Sequence, residues 1–261
     1  MNKMIKRLTL LFIALMVNYC LIAQTFKVID NDTINRVDVS GLKQGHWIEM
    51  NQFESRGSYK DGIRDGQWLT YFGGNYIQKI ENYQKGKFIG GAFEFDRWGR
   101  LIAERYYMNG VSNGVSKTFT ADGFFTSFTE YKDGKINGVK KIYYQDSPDK
   151  VMEEAHYKND IKDGPSKWFT KEGRLVADYN YQNGLLEGDI KTYYPSGKLL
   201  LLEHYNLNNH QGEAIEYFES GKEKRKGIYK NDLKEGEWTL YDENQNVISK
   251  ERYKEGSLLK K

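Results

Sequence analysis

One serine in this sequence lies in a pattern that is associated with catalysis. Gly110-Val-Ser112-Asn-Gly114 matches G-x-S-x-G, the turn that presents the nucleophile of many hydrolases. That chemistry requires a strand, a sharp turn and a helix around the serine. Here both glycines belong to a repeat, and the position of Ser112 holds unrelated residues in the other units, so the match is interpreted as a coincidence of the repeat.

The histidines are the next candidates for chemistry. His204 and His210 lie six residues apart across a predicted turn, which would let both approach one metal ion. Two solvated polar residues explain this pair more simply, and His46 and His156 have no such neighbour. Asp/Asn-rich turns such as Asp61-Gly62 lack the ligand spacing of calcium loops. We therefore expect no catalytic residue, no metal site and no cofactor.

These residues lie in a periodic frame. Tyrosines recur at intervals of 24 residues, apart from one interval of 26, and a glycine follows each of the first eight by seven residues. The anchor tyrosines are Tyr59, Tyr83, Tyr107, Tyr131, Tyr157, Tyr181, Tyr205, Tyr229 and Tyr253. The repeat glycines are Gly66, Gly90, Gly114, Gly138, Gly164, Gly188, Gly212 and Gly236. An aromatic residue follows each repeat glycine by five.

Each unit is predicted to contain two strands and two turns. Dipeptides such as Asn109-Gly110 and Asn183-Gly184 are strong hairpin signals, and a three-residue loop such as Pro195-Ser-Gly197 makes the second reversal. The chain is therefore predicted to be all-β: an elongated, twisted, single-layer antiparallel meander of hairpin repeats. Trp68 and the constant aromatic Tyr71 have opposite parity after Gly66. A bulge near the glycine, or aromatics on both faces, would account for this.

The unusual feature of the composition is its aromatic content, which is 15% of the chain. Those at fixed repeat positions are interpreted as stacked ladders that supply a thin core. Aromatics that vary between units are the candidates for a binding groove. These are Trp47, Trp68, Trp98, Trp168 and Trp238, and their spread along the chain does not mark one site.

The N-terminus has the pattern of a signal peptide. Lys3, Lys6 and Arg7 precede an apolar stretch, and Ala23 is a plausible cleavage position. A membrane anchor and a lipoprotein attached through Cys20 are the alternatives; the stretch is short for a span, and bulky Tyr19 fits a lipobox poorly. Removal of residues 1–23 would take away the only cysteine and three of the 39 basic residues. The remaining 36 would balance 36 acidic residues, which argues against a nucleic-acid partner.

The segment Tyr59-Lys-Asp-Gly-Ile-Arg-Asp-Gly-Gln-Trp-Leu-Thr-Tyr71 resembles the MORN repeat, in particular the bacterial variant family labelled antitoxin-like. The resemblance covers roughly residues 38–256 and implies an elongated, twisted antiparallel sheet with a groove along one face. This chain departs from the better-known form, because residues such as Trp68, Lys140 and Trp238 replace its second glycine. That departure weakens any transfer of the lipid binding that the resemblance implies.

The sequence thus predicts a signal peptide (1–23), N-terminal capping strands (24–37), an array of about nine repeats (38–256) and a C-terminal cap (257–261). We expect an exported scaffold in the periplasm, at the outer envelope or outside the cell. It would bind a protein partner there without catalysing a reaction. A membrane-surface or glycan-binding module is the first alternative, and an antitoxin or immunity-like protein is the second. The oligomeric state stays open.

Overall fold

The computed structural model describes residues 24–260 of the chain. The predicted signal peptide and Cys20 lie outside this range. The chain divides into two compact units, Met1–Ile89 and Gly90–Lys261. No helix long and apolar enough to cross a membrane occurs among the residues that the structure describes.

The first unit is a series of antiparallel strands, each paired with the next along the chain. Its strands are β1 (Thr25–Ile29), β2 (Asp32–Val37), β3 (Lys43–Met50), β4 (Glu54–Lys60), β5 (Ile63–Tyr71), β6 (Ile77–Gln84) and β7 (Lys87–Phe88). The β1–β2 turn lies at Asp30 and Asn31, where both φ angles are positive. The side chain of Asn35 then continues the pairing, because its amide accepts from and donates to the backbone of Ile48.

The second unit continues the same pattern. Its strands are β8 (Gly90–Phe95), β9 (Leu101–Met108), β10 (Val111–Phe119), β11 (Phe125–Lys132), β12 (Lys135–Tyr143), β13 (Val151–Lys158), β14 (Ile161–Phe169), β15 (Leu175–Gln182), β16 (Leu185–Leu186), β17 (Gly188–Tyr193), β18 (Leu199–Asn206), β19 (Asn209–Tyr217), β20 (Glu223–Lys230), β21 (Leu233–Tyr241), β22 (Val247–Lys254) and β23 (Ser257–Leu258). The prediction of an all-β antiparallel meander of hairpins is confirmed for the described residues. The lengthened loop between β12 and β13 closes through a hydrogen bond from Tyr144 N–H to Lys150 C=O, at 2.9 Å.

The two-residue turns also link each repeat to the one before it. Both central residues have positive φ, as at Asn183 (49°) and Gly184 (84°), which is the geometry of a type I′ turn. The N–H of Gly184 donates to the carbonyl of Lys162 at 2.8 Å. Where aspartate or asparagine replaces the turn glycine, its side chain adds a second link: Asp232 Oδ1 accepts the backbone N–H of His210 at 2.6 Å.

The pairing register is irregular at two places in each repeat. The register of β4 and β5 shifts opposite Gly66, whose φ is +82°, and that of β5 and β6 shifts again between Thr70 and Tyr71. Both alternatives hold, because a bulge lies at the glycine and aromatics occupy both faces. Trp68 shares the face of Tyr59, and the two rings meet edge to face with centroids 5.2 Å apart. Tyr71 lies on the opposite face, where Arg56 stands 4.9 Å from its ring centroid.

Candidate functional site

The two signature residues of the repeat are cross-strand partners. Each repeat glycine lies opposite the anchor tyrosine of the following strand, as Gly66 does with Tyr83 and Gly188 with Tyr205. On its other side each tyrosine pairs with the residue five positions later, which we call the inter-tyrosine position. We call the sheet face that carries this row the tyrosine face. The inter-tyrosine residues are Arg64, Phe88, Ser112, Ile136, Lys162, Leu186, His210, Lys234 and Leu258.

In the first unit the tyrosine face also carries a buried tryptophan. Trp68 is 1% exposed and lies across Gly57, where an added Cβ would come within 2.2 Å of the indole ring. Its Nε1–H donates to the carbonyl of Ser58 at 3.1 Å. The guanidinium of Arg64 covers the ring at 3.9 Å from the centroid, which is close cation–π geometry. The indole is thus enclosed on both faces.

A shared carboxylate fixes the charges around this tryptophan. Glu49 accepts hydrogen bonds from Lys43 Nζ (2.6 Å), Arg64 Nη2 (2.9 Å) and the hydroxyl of Tyr59 (2.9 Å). Burial would raise the pKa of Glu49, but these three donors outweigh it and lower the pKa. Burial likewise opposes the charge on Arg64, yet its hydrogen bonds to Tyr59, Glu49 and Tyr83 leave its pKa raised. Both groups therefore stay ionised, and they form an ion pair at 2.9 Å.

The second unit repeats this arrangement. Trp238 is 5% exposed and lies across Gly227, where a Cβ would come within 2.2 Å of the ring. Tyr229 packs edge to face against it with centroids 4.9 Å apart. Arg225 and Lys234 stand 4.9 and 4.8 Å from its centroid. Burial and then repulsion from Arg225 lower the pKa of Lys234.

A serine and a lysine also meet on the tyrosine face. Lys162 Nζ lies 3.3 Å from Ser166 Oγ and 2.8 Å from Glu153 Oε1. A serine–lysine nucleophile requires a neutral lysine to take the hydroxyl proton. Burial alone would lower the pKa of Lys162, but the hydrogen bond to Glu153 outweighs it and the pKa is raised. Ser166 is 1% exposed, so the group is a buried ion pair and not an accessible nucleophile.

His210 occupies the inter-tyrosine position between Tyr205 and Tyr229. Its ring is stacked on both, with centroids 4.6 Å and 3.8 Å away. The residue is 9% exposed, and Nε2 has no hydrogen-bond partner although Glu203 Oε1 lies 3.5 Å from it. A cavity of about 180 Å³ adjoins this stack. It is lined by Leu201, Glu203, Ala214, Glu216, Arg225, Tyr229 and Trp238.

The five variable tryptophans do not form one site. Trp47 and Trp68 both contact Tyr59 edge to face. In the second unit Trp98 lies in a hairpin loop at 76% exposure, beside Arg100, while Trp168 is half-buried beside Lys162. Burial leaves the indole faces of Trp68 and Trp238 inaccessible to a ligand, so these two residues serve packing in the folded sheet.

The residues considered for chemistry in the sequence are separated in the structure. His204 and His210 lie on opposite faces of the sheet, because Tyr205 next to His204 is the residue that pairs with His210. Among the described residues no group of three potential metal ligands comes together. Ser112 lies within strand β10, paired with Tyr107, and no helix follows it.

One signal in the sequence would have revealed the buried tryptophans. Glycine stands two residues before the anchor tyrosine only in the two units whose next strand carries tryptophan two residues after the repeat glycine. These pairs are Gly57 with Trp68 and Gly227 with Trp238. A missing Cβ on one strand makes room for an indole from its neighbour, so the coincidence of the two residues predicts the packing.

Comparison with known proteins relates this chain to a repeat family and to solved structures. A model of the MORN repeat variant matches residues 186–207, 211–231 and 234–255. A search of curated proteins found no match. Among solved structures, a chain of the Photorhabdus luminescens Tc holotoxin pore is similar at 11% identity, with a TM-score of 0.20 over 90% of this chain. This chain spans 13% of the length of that toxin chain. Residues 186–255 therefore contain three consecutive MORN repeats of the variant type.

Proposed function

We propose that this chain is a non-catalytic repeat scaffold that binds a protein partner at the cell envelope through its tyrosine face. One observation carries the proposal. Constant tyrosines alternate with inter-tyrosine residues that differ in size, polarity and charge from repeat to repeat. A regular frame with a variable residue in each repeat is the usual arrangement of solenoid proteins that bind extended partner surfaces.

Two neighbouring lysines provide a matched test of the face. Lys140 points along the tyrosine face, where its Nζ lies 5.9 Å from the ring of Tyr157, whereas Lys141 is on the opposite face and pairs with Glu154 at 2.8 Å. Each is replaced in turn by a photo-crosslinking amino acid, and both replacements remove one positive charge. Irradiation of producing cells is expected to give a protein adduct of defined mass from position 140 and none from position 141.

Equal labelling from both positions, or no adduct from position 140, would overturn the assignment of the face. An adduct with a lipid or a glycan in place of a protein would favour a membrane-surface or glycan-binding module. The export component has its own test. N-terminal sequencing of the chain recovered from the cell envelope is expected to begin at Gln24, and recovery of an intact N-terminus in the cytoplasm would contradict export.

A further inference from the structure

The inter-tyrosine position accepts either a cation or an uncharged side chain between the same two rings. Arg64, Lys162 and Lys234 place positive charge there, and Leu186 and Ile136 do not. Because the backbone register is the same in both cases, charge at this position changes without any change of fold. Histidine is the one side chain whose ordinary pKa allows both states between pH 5 and 8. His210 is the only histidine at an inter-tyrosine position.

The surroundings of His210 are arranged for both states. In the neutral state the imidazole completes a three-ring stack, inclined by 4° to Tyr205 and 17° to Tyr229. In the charged state the same two rings would flank a cation. Lys162 shows a similar contact on one side, because its Nζ lies 5.2 Å from the centroid of the Tyr181 ring. Nε2 has no partner, and the nearest carboxylate oxygen is Glu203 Oε1 at 3.5 Å. A shift of about 0.7 Å would close this to a charge-assisted hydrogen bond.

We propose that His210 is a protonation-sensitive residue of the tyrosine face. When it is neutral, it is the middle ring of a stack of three aromatic rings. When it is protonated, it pairs with Glu203 and carries the positive charge of its repeat.

Every element packed around His210 contributes charged or titratable groups. From β18 come Glu203 and Tyr205, whose hydroxyl lies 3.5 Å from the second oxygen of Glu203. The turn before β21 contributes Asp232, which accepts the backbone N–H of His210 at 2.6 Å. Burial lowers the pKa of His210, and the charges of Glu203 and Asp232 act in the opposite direction without overcoming it.

The cationic groups lie on the far side of the second tyrosine. Tyr229 separates His210 from Lys234 in the row, and Arg225 of β20 lines the adjoining cavity. Neither cation forms an ion pair with Glu203 in the described residues. The carboxylate of Glu203 is therefore available to form an ion pair with a protonated His210.

The charge of the cavity wall would change with this event. Glu203 and Glu216 both line the cavity of about 180 Å³, and Lys224 already neutralises Glu216 at 2.6 Å. When His210 takes a proton and pairs with Glu203, the second carboxylate is neutralised as well. A basic group of any molecule that contacts this part of the face would then lose an acidic partner at low pH.

Titration of the histidines in the purified chain by long-range ¹H–¹⁵N NMR tests the proposal. The signal of His210 is identified by its loss in H210L, which copies Leu186, or in H210K, which copies Lys234, should leucine impair folding. We expect a protonation midpoint below the ordinary 6.5, reached while circular dichroism still shows the folded sheet. We also expect a change in Trp238 fluorescence with the same midpoint, because Tyr229 touches both His210 and Trp238.

The Glu203→Gln variant distinguishes a histidine that is protonated in the folded sheet and pairs with Glu203 from a histidine that is merely buried. Loss of the carboxylate is expected to move the midpoint of His210 further down, and to abolish the fluorescence step in the pH range of the wild-type protein. Two results would overturn the proposal. One is a His210 that stays neutral until the sheet unfolds in acid, and the other is a midpoint that Glu203→Gln leaves unchanged.

Discussion

The packing of Trp238 on Gly227 predicts a strong coupling between the two residues. Gly227 has no positive φ, so alanine suits its backbone and only the added methyl group matters. That Cβ would come within 2.2 Å of the indole, where ordinary van der Waals contact begins near 3.4 Å. The ring must therefore move by more than 1 Å, although Nε1–H is held on the carbonyl of Ile228 at 3.3 Å. We expect Gly227→Ala to lower the free energy of unfolding by about 2–3 kcal/mol.

The double-mutant cycle makes this expectation specific. Trp238→Ala should cost about 3–5 kcal/mol, because a large buried ring is lost and a cavity remains. In the Trp238→Ala protein the methyl group added by Gly227→Ala has no indole ring to clash with. The loss in free energy of unfolding caused by Gly227→Ala should therefore fall to about 0.5 kcal/mol or less. Urea unfolding followed by circular dichroism measures all four proteins, since tryptophan fluorescence changes with the substitution itself. Gly73→Ala is the control, because a Cβ there meets nothing within 4 Å.

A cost of Gly227→Ala that is the same with and without Trp238 would refute this account of the packing. The matched pair in the first unit, Gly57 and Trp68, should behave in the same way. Its indole is the more deeply buried of the two, at 1% exposure against 5%. The cation above it, Arg64, is also closer to the ring centroid, at 3.9 Å against 4.8 Å for Lys234.

Three further predictions concern single interactions. Burial lowers the pKa of His210 in the folded chain, so its contribution to stability is complete above the ordinary 6.5 and declines as the pH falls through the folded pKa; urea unfolding at a series of pH values should show this slope, and a slope unchanged in H210L would contradict it. Asp232→Gly should cost about 1 kcal/mol for the lost link to His210, and Asp232→Ala about 1 kcal/mol more for its φ of 65°; thermal unfolding that ranks alanine above glycine would be the contrary result. Lys162→Met should cost about 2 kcal/mol in urea unfolding, because it removes the ion-pair partner of Glu153, whose side chain is only 11% exposed; a Glu153→Met/Lys162→Met double variant as unstable as Lys162→Met would count against this reason.

The sequence predicted the order of strands and turns because each signal is local. An Asn-Gly or Asp-Gly pair specifies a type I′ turn through its own backbone preferences, and the turns at Asn109-Gly110 and Asn183-Gly184 formed as expected. Even where the glycine is absent the turn persists, because Asp160 and Asn208 accept positive φ. A meander follows directly from such turns, since consecutive antiparallel strands need no other connection.

The composition of each face could not be predicted in the same way. The bulge in which Thr70 pairs with Lys79 and Tyr71 with Ile77 changes the parity of side chains, and such a bulge leaves only a weak trace in the sequence. The opposite parity of Trp68 and Tyr71 could not by itself choose between a bulge and aromatics on both faces. His204 and His210 face opposite sides because Tyr205 pairs with His210 in the β18–β19 hairpin, which the six-residue spacing alone had left open.

Burial of the tryptophans was missed for a related reason. A tryptophan that varies between repeats resembles a binding residue when only its own position is considered. The structure shows that burial of Trp68 and Trp238 depends on a second position eleven residues earlier, where glycine leaves room for the indole. Trp98 has no such partner and remains 76% exposed in its loop. Candidate binding aromatics in this fold therefore need to be judged in pairs of strands.

The tyrosine face separates the residues that hold the sheet together from the residues that can vary. Pairing of the repeat glycine with the anchor tyrosine fixes the register, and turn-to-carbonyl links such as Gly184 to Lys162 connect successive repeats through backbone atoms alone. Neither interaction involves the side chain at the inter-tyrosine position. That side chain can change from leucine to lysine to histidine at a cost confined to its own repeat and its neighbours. A side chain whose charge depends on pH, such as that of His210, can therefore occupy this position without disturbing the backbone.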